Sequence, residues 1–383
     1  MNLIERSIKL HKELNGKIEI RNKYDIKTKD DLALIYTPGV AASCLRIKDN
    51  PEESYQLTSR NNTVAVISDG TAVFVLGDIG PLAAMPVMEG KSALFKKFGN
   101  VDAIPIVLDT KDTEEIIKTI SYLAPSFGGI NLEDISAPRC FEIERRLREM
   151  LDIPVFHDDQ HGTAIASGAA LINALKFVNK ELSEVTIVVN GAGSAGIAIT
   201  TFLMELGATN IIVCEIGGIM EVQDETLNSH QKQLAEKTNP HGIKGKLQDA
   251  LNRADVFIGV SAGNVVSKEM VSSMNEDAII FALANPTPEI NREDALDAGA
   301  RIYGAGVSNV PNQINNALVF PGLFKGALEA RVKQITIEME IAACKALSAV
   351  IPENSLQEDY IIPDIFNDLV SAGICEAIIK ISK

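Results

Sequence analysis

Four carboxylates lie in two short blocks of this chain. Glu133 and Asp134 belong to the block NLED, and Asp158 and Asp159 belong to the block VFHDDQHGTA. Paired carboxylates supply hard oxygen ligands, which suit a hard divalent cation such as Mg²⁺ or Mn²⁺. Both blocks precede a separate nucleotide-binding pattern. A metal site beside a nucleotide fold indicates redox chemistry on a small oxygenated acid.

The nucleotide-binding pattern is G-x-G-x-x-G, formed by Gly191, Gly193 and Gly196. A predicted buried strand precedes it and an apolar helix follows, which is the context that a dinucleotide-binding turn requires. Glu215 ends the next predicted strand 22 residues after Gly193, where an acid meets the ribose hydroxyls of the adenosine. No Arg or Lys follows Glu215 closely enough to bind a 2′-phosphate. We therefore expect NAD to be favoured over NADP.

The bulk properties limit the classes of protein to consider. The 383 residues suffice for two domains with full cores, and the formal charge of −15 disfavours nucleic acid and anionic membranes as partners. The five cysteines are scattered and form no CxxC, which argues against disulfides and a zinc site. The N-terminus does not resemble a signal peptide, and no run reaches the roughly 20 apolar residues of a membrane helix. We expect a cytoplasmic protein.

Apolar strands alternate with helices along the chain, which predicts an α/β fold of two lobes with parallel sheets. One lobe is a Rossmann-type doubly wound parallel sheet domain, and the other is a second α/β domain for substrate and catalysis. Smaller predictions are an amphipathic helix over Leu3–Leu14, a strand over Ala72–Leu76, and a helix that starts near Met88 and carries Lys91.

Nine sequence blocks, in order and spread over nearly the whole chain, resemble the malic enzyme family in its short prokaryotic form. They are YTPGVA at Tyr36, SDG at Ser68, LGDIGP at Leu76, MEGKSALFK at Met88, NLED at Asn131, FHDDQHGTA at Phe156, GAGSAG at Gly191, ALANPTPE at Ala282 and NQINNALVFPG at Asn312.

The resemblance implies oxidative decarboxylation of L-malate to pyruvate and CO₂, with a nicotinamide cofactor and Mn²⁺ or Mg²⁺. This is the reaction of a decarboxylating, NAD-dependent malate dehydrogenase. Glu133, Asp134 and Asp159 match the metal ligands of the family. Lys91 matches the general base that takes the hydroxyl proton of malate. Tyr36 matches the general acid that protonates C3 of enolpyruvate.

Several residues are expected to support this chemistry. Asp158 would partner Lys91 and orient the proton relay. A buried Lys near a metal can have its pKa lowered enough to act as a base at neutral pH, and we expect this of Lys91. His157 and His161 flank the aspartates, and we expect them to support the metal ligands rather than bind the metal.

The predicted binding residues complete the site. The cofactor-binding set is Gly191, Gly193, Ser194, Ala195, Gly196, Glu215, Ser261 and Asn285. The substrate-binding set is Tyr36, Lys91, Asn285 and Asn316. Asn312 and Asn315 are expected to support the backbone or to contact the cofactor.

One position departs from the family pattern. Larger eukaryotic members carry an Arg that holds the substrate carboxylate, and Ala72 stands at that place here. The departure leaves the carboxylate anchor of this chain unassigned among Lys, backbone amides and a residue of a second subunit.

The lobes are predicted to divide the chain discontinuously. Residues 1–157, completed by C-terminal helices from residues 316–383, form the substrate and catalytic domain. Residues 158–315 form the NAD-binding domain. The site is expected in the cleft between them, because open parallel sheets bind ligands at the carboxyl ends of their strands.

Two other functions fit part of this pattern. A malolactic enzyme shares the family and the cofactor but releases lactate. A nucleotide-sensing regulatory protein would use the scaffold without catalysis, although it has no need of Tyr36 and Lys91. As partners we expect the small-molecule substrate L-malate and a second copy in a homodimer. A subunit boundary near the cleft would bring Tyr36 or Lys91 to the neighbouring site.

Overall fold

The structure, a computed structural model, describes residues 2–73 and 76–383. Its α/β architecture contains a four-stranded sheet, a six-stranded sheet and helices that cover both. This agrees with the predicted fold class. No helix in the described ranges combines the length and apolar character that crossing a bilayer requires.

The chain begins with an arm of short helices, which we define as residues 2–62. Its helices are α1 (Leu3–Leu14), α2 (Lys29–Ile35), α3 (Val40–Asp49) and α4 (Ser54–Leu57). The predicted amphipathic helix is therefore present as α1, where Asn2 and Glu5 form a capping box at the N-terminus. No residue of the arm is buried.

The first sheet has the order β2-β1-β3-β4 and is parallel throughout. Its strands are β1 (Thr63–Ser68), β2 (Asp102–Val107), β3 (Gly129–Leu132) and β4 (Val155–His157), and its helices are α5 (Pro81–Gly99), α6 (Thr113–Leu123) and α7 (Arg139–Met150). Every residue of β1, β3 and β4 is buried, as in a sheet covered on both faces. Parallel strands bring the residues that follow β3 and β4 to one edge.

Helix α5 starts two turns before the predicted start near Met88. Pro81 occupies its first turn, where a fixed φ and a missing N–H cost nothing. Ala84, Met88, Lys91 and Phe95 then recur at helical spacing on the buried face. Of the predicted strand over Ala72–Leu76, Phe74 and Val75 lie outside the described residues, and Val73 pairs with Gly77 in an isolated bridge.

The second sheet has the order β10-β9-β8-β5-β6-β7. Its strands are β5 (Thr186–Asn190), β6 (Asn210–Glu215), β7 (Gly218–Ile219), β8 (Val256–Gly259), β9 (Ala278–Ala282) and β10 (Ala300–Ala305). Strand β7 is antiparallel to β6, which departs from the predicted parallel sheet. A two-residue connection can only return the chain antiparallel, since a parallel neighbour requires a crossover of a dozen residues.

Helices surround this sheet and join it to the first. They are α8 (Asp158–Val178), α9 (Ser194–Glu205), α10 (Ser229–Ala235), α11 (Leu247–Leu251), α12 (Lys268–Ser272) and α13 (Arg292–Asp297). Helix α8 leads directly from β4 into the second sheet. A Cβ on its Gly168 would lie 2.8 Å from the ring of Phe202 in α9, so the two helices pack closely.

The last three helices are α14 (Phe320–Ala330), α15 (Ile337–Ala349) and α16 (Leu369–Ile381). Helix α14 returns to the first sheet, where the rings of Phe320 and Phe324 lie 4.5 and 5.4 Å from that of Phe95 in α5. In α8, Asn173 donates to the carbonyls of Ser348 and Ile361. The C-terminal helices thus pack on both the first sheet and α8.

Candidate active site

Three carboxylates meet where β3 and β4 end. Glu133 follows β3, Asp134 follows with a φ of 53°, and Asp159 lies in the first turn of α8. One ligand oxygen of each lies within 4.8 Å of the others. The backbone N–H of Asp134 also donates to Oδ2 of Asp159 at 2.8 Å. Three convergent carboxylate oxygens are a donor set that fits Mg²⁺ or Mn²⁺.

Lys91 reaches this group from α5. Its Nζ donates to Oε1 of Glu133 at 2.6 Å and to Oδ2 of Asp158. The ammonium also lies 4.5 Å from the ring centroid of Phe320. The lysine is 6% exposed and Asp158 is fully buried. The predicted Lys91–Asp158 pair is therefore present in the geometry, within a single chain.

The cluster holds four carboxylates and one ammonium, so it carries excess negative charge. Burial raises the pKa of Glu133 to about 7, of Asp158 to about 7 and of Asp159 to about 6, against the attraction of Lys91. Such a cluster favours uptake of either protons or a divalent cation.

The protein groups alone raise the pKa of Lys91, whereas the lowered pKa was expected beside a metal ion. Burial alone lowers the pKa of the ammonium, but Asp158, Glu133 and Asp159 outweigh burial and raise it above its ordinary value. The reason is the number of carboxylates: a cation surrounded by anions holds its proton.

The glycine turn joins β5 to α9 on the other side of the cleft. Gly191 has a φ of 109°, and a Cβ on Gly196 would lie 1.7 Å from the carbonyl oxygen of Gly191. A Cβ on Gly193 would meet no atom within 4 Å. The turn is thus tightly packed at Gly196 and open at Gly193, next to the helix N-terminus. A site for pyrophosphate requires such an opening.

Glu215 lies at the end of β6 beside this turn. Its Oε2 accepts from the backbone N–H of Ala192 at 2.9 Å, which holds the carboxylate against the turn. Sequence reasoning missed Lys246, whose Nζ donates to the carbonyl oxygen of Gly217 at 2.7 Å. A cation therefore does lie near the turn after Glu215, brought there from a distant part of the chain.

A cleft of about 560 Å³ lies between the carboxylate cluster and the glycine turn. Residues from both sequence regions line it, including Ala72, Asp134, Asp159, Ser194, Ala195, Ser261, Asn264, Asn285, Asn315 and Asn316. The structure thus brings the predicted binding residues Ser194, Ala195, Ser261, Asn285 and Asn316 to one cavity.

Matches with known proteins cover both parts of this site. The family model for the malic enzyme N-terminal domain matches residues 15–122 and 110–148, and the model for the malic enzyme NAD binding domain matches residues 160–382. The chain belongs to the malic enzyme family.

The relatives and solved structures agree with this assignment. An NAD-dependent malic enzyme of Geobacillus stearothermophilus is 53% identical over 99% of this chain and 79% of its own length. A bifunctional malic/malolactic enzyme of Bacillus subtilis is 49% identical over 99% of this chain and 93% of its own length. The crystal structure of an NAD-dependent malic enzyme from Thermotoga maritima has a TM-score of 0.94 and 46% identity, over 97% of this chain and 98% of that one.

Two buried acids were not predicted from the sequence. Glu144 of α7 accepts from the backbone N–H of His157 at 3.0 Å, and its carboxylate also contacts the side chains of Gln160 and His161. Its sequence signal was an acid inside the apolar stripe of α7. Glu289 accepts from the backbone N–H groups of Ser261 and Ala284 and so fixes two cleft loops.

The two histidines lie outside the carboxylate group. His161 sits between Glu144 and Glu340, with ring nitrogens 3.0 and 3.1 Å from their oxygens. Against the effect of burial, these two acids raise the pKa of His161 well above its ordinary value. His157 is fully buried, and burial lowers its pKa to about 4, so its ring is neutral. This arrangement fits a supporting role at the start of α8.

Asn312 lies beneath the cleft rather than in it. The residue is buried; its side chain donates to the carbonyls of Tyr303 and Glu358 and accepts from the N–H of Ile361. Asn315 lines the cleft, and its side chain accepts from the N–H of Ala317. Both residues therefore support the backbone through their side-chain contacts.

Tyr36 is not brought to the cleft. It ends α2, is 66% exposed, and is absent from the described lining of the cavity. Its role as general acid remains a prediction. Ala72 does line the cleft, and the nearby Arg139 is held by Asp69 and Thr71 at 2.8 and 2.9 Å. No described cleft residue is an Arg, so the carboxylate anchor stays unassigned.

Proposed function

We propose that this chain catalyses the divalent-metal-dependent oxidative decarboxylation of L-malate to pyruvate and CO₂ with NAD⁺ as hydride acceptor. The observation that carries the proposal is Lys91, held between Glu133 and Asp158 beside the three-carboxylate group. The glycine turn across the same cleft supports a nicotinamide dinucleotide as the oxidant.

Each predicted residue has a role at a stated atom. Glu133, Asp134 and Asp159 would hold Mn²⁺ or Mg²⁺, which when bound polarises the C2 oxygen of malate. Lys91 would take the C2 hydroxyl proton as hydride leaves C2 for NAD⁺, and Asp158 would orient the ammonium.

The raised Lys91 pKa does not oppose this role. Asp158, Glu133 and Asp159 raise that pKa through their negative charge. A cation held by Glu133 and Asp159 would offset their part of that charge, and Lys91 would then release its proton more readily. After CO₂ is lost, Tyr36 would donate a proton to C3.

The cleft would lie between two lobes. We propose residues 1–157 with 316–383 as the catalytic lobe and residues 158–315 as the nucleotide lobe. The ring contacts between Phe95 and both Phe320 and Phe324 support placing the C-terminal helices with the first sheet.

An initial-rate assay tests this function. Malate is supplied with NAD⁺ or NADP⁺, first with the metal chelated and then with Mn²⁺ or Mg²⁺ restored, while NADH and pyruvate are measured. We expect both products in equal amounts and only with metal. Absence of turnover under all conditions would contradict catalysis and favour a nucleotide sensor.

The same assay should test for malolactic activity, because the name of one relative includes it. The Bacillus subtilis protein, 49% identical over 99% of this chain, is called a bifunctional malic/malolactic enzyme. Lactate without net NADH would identify malolactic chemistry here. Pyruvate with stoichiometric NADH would exclude it as the main reaction.

A further inference from the structure

Three loops of the first sheet are joined by a single guanidinium group, that of Arg139. The loops follow β1, β2 and β3, which are neighbours in the sheet order β2-β1-β3-β4. Since the strands are parallel, these loops meet at one edge of the sheet, where ligands bind in open α/β folds. Arg139 is the first residue of α7, and its guanidinium donates to an acceptor in each loop. It therefore fixes the loops relative to one another.

The contacts of Arg139 depend on the shape of its guanidinium as well as on its charge. Nη1 donates to the carbonyl oxygen of Lys111 at 2.9 Å. Nη2 lies 2.8 Å from Oδ2 of Asp69, 2.9 Å from Oγ1 of Thr71 and 3.1 Å from Oγ of Ser136. A planar fork of donors can serve several loops at once, whereas the ammonium of a lysine is a single point charge. Asp69 is 1% exposed, so its charge requires this partner.

Thr71 connects Arg139 to the loop that carries a predicted metal ligand. Its hydroxyl oxygen accepts from Nη2 of Arg139 and from the backbone N–H of Ser136, the latter at 3.0 Å. One residue further along, the N–H of Ala72 donates to the carbonyl oxygen of Asp134 at 2.9 Å. The loop after β1 is thus bound to the loop after β3 at residues 134 and 136. A movement of the first loop would therefore move the second.

The backbone of Asp134 requires such a restraint. Its φ of 53° lies in the left-handed region, which residues other than glycine seldom adopt. A conformation of this kind persists only where the surrounding contacts hold it. Here the carbonyl of Asp134 is held by Ala72, and its N–H donates to Oδ2 of Asp159 at 2.8 Å. Because Asp134 lines the cleft and belongs to the three-carboxylate group, its conformation affects the predicted metal site directly.

We propose that Arg139 is a positioning residue for the metal site, which locks the loops after β1 and β3 together and so holds Asp134 in the conformation that binds the divalent cation. The cation itself rests on the proposed function. Arg139 is not among the described residues that line the cleft, so it acts through Thr71 and Ala72 rather than by touching a ligand. Groups that orient metal ligands in this way contribute strongly to metal affinity.

Titration with Mn²⁺, followed by electron paramagnetic resonance without substrate, tests this role. Arg139→Ala should weaken Mn²⁺ binding by about 10–100-fold, while NAD⁺ affinity stays unchanged because the glycine turn lies across the cleft. Arg146→Ala is the matched control: Arg146 lies in the same helix, pairs with Glu114 and Glu142, and has 27% of its side chain exposed against 24% for Arg139. Wild-type Mn²⁺ affinity in Arg139→Ala, or an equal loss in both variants, would overturn the proposal.

Two milder variants decide the matter if Arg139→Ala does not fold. Arg139→Lys keeps a positive charge near Asp69 but lacks the planar fork, so its Mn²⁺ affinity should lie between those of wild type and the alanine variant. Thr71→Val removes the hydroxyl through which Arg139 acts and should also weaken Mn²⁺ binding. The double variant Arg139→Ala with Thr71→Val should lose little more than either single variant, since both break one connection. Fully additive losses, or a Thr71→Val variant with wild-type affinity, would contradict this connection.

Hydrogen exchange measures the locking of the loops without any metal. In the metal-free protein, peptides that cover residues 69–73 and 133–137 should exchange faster in Arg139→Ala than in wild type or Arg146→Ala, because the N–H groups of Ala72 and Ser136 lose their fixed acceptors. Unchanged exchange in both peptides would overturn the proposal even if Mn²⁺ affinity falls. If the wild type binds no Mn²⁺, the proposed function fails, while hydrogen exchange still decides whether Arg139 locks the loops.

Discussion

The two walls of the cleft are built by different means. The wall around Glu133, Asp158 and Lys91 consists of buried charged side chains with an excess of carboxylates over ammonium groups. The opposite wall, at Gly191–Gly196, consists of a backbone turn that is open at Gly193. The first wall can move protons because its groups titrate, and the second can recognise a phosphate because its N–H groups are fixed. Substitutions should therefore separate chemistry from nucleotide binding.

Removing the only ammonium of the charged wall should have the largest effect. We expect Lys91→Ala to lower kcat by about 10²–10⁴-fold, the usual contribution of a general base. The affinity for NAD⁺, measured by fluorescence titration, should be unchanged because the glycine turn lies across the cleft. Turnover within tenfold of wild type would remove Lys91 from the mechanism.

Adding a methyl group to the backbone wall should weaken NAD⁺ binding, which Lys91→Ala should leave unchanged. In Gly196→Ala the new Cβ would lie 1.7 Å from the carbonyl of Gly191, so the turn must shift, at a cost of about 1–3 kcal/mol in the free energy of unfolding. We expect NAD⁺ affinity to fall at least about tenfold.

Gly193→Ala is the matched control for this substitution. Its Cβ has no neighbour within 4 Å, so the melting temperature should not change while NAD⁺ affinity still falls, because the methyl group would project into the site for pyrophosphate. A loss of stability equal to that of Gly196→Ala would contradict this reading.

The two walls also differ in how far the sequence predicts them. The glycine turn is local: six consecutive residues define its shape, so the pattern alone identified it. Glu133, Asp134 and Asp159 were named as metal ligands because of the family resemblance, and they meet because strand ends of a parallel sheet converge. The contact of Lys91 with both Glu133 and Asp158 joins three distant segments, and its effect on pKa depends on how many carboxylates surround it. Lys246 and Glu144 were missed for the same reason, since their neighbours are set by tertiary packing.

Glu144 allows a test of how neighbouring residues support the charged wall. Its carboxylate accepts from the N–H of His157 and holds Gln160 and His161, so it fixes the turn that presents Asp159. We expect Glu144→Gln to weaken Mn²⁺ binding by about 10–100-fold, the range for groups that orient metal ligands. The melting temperature must be measured alongside, and Glu144→Asp should restore part of the affinity. Unchanged Mn²⁺ affinity would limit Glu144 to a purely structural role.

Lowering the pH should weaken Mn²⁺ binding at the charged wall before it weakens NAD⁺ binding at the backbone wall. The pKa values of Asp159 and Glu133 are raised to about 6 and about 7, so below these values protons compete with the cation for the same oxygens. Mn²⁺ affinity should therefore rise as the pH increases from 5 to 7. For each proton that the cation displaces, the rise should be up to about tenfold per pH unit. NAD⁺ affinity over this range serves as the control and should stay nearly flat. An Mn²⁺ affinity that does not depend on pH would contradict the raised carboxyl pKa values.

The smallest effect concerns the choice between NAD⁺ and NADP⁺, where a charged side chain enters the backbone wall. Glu215 would repel a 2′-phosphate, but Lys246 lies at the carbonyl of Gly217 and would attract it. Because Lys246 is exposed and Glu215 is only half-buried, screening limits each effect to roughly 1 kcal/mol, or a few-fold in affinity. Wild type should prefer NAD⁺, Glu215→Ser should narrow the preference, and Lys246→Ala should widen it. Steady-state kcat/KM with both cofactors measures these changes, with Lys244→Ala as the control because that lysine pairs with Glu221 instead. A preference that follows Glu215 but ignores Lys246 would show that the carboxylate alone sets the choice.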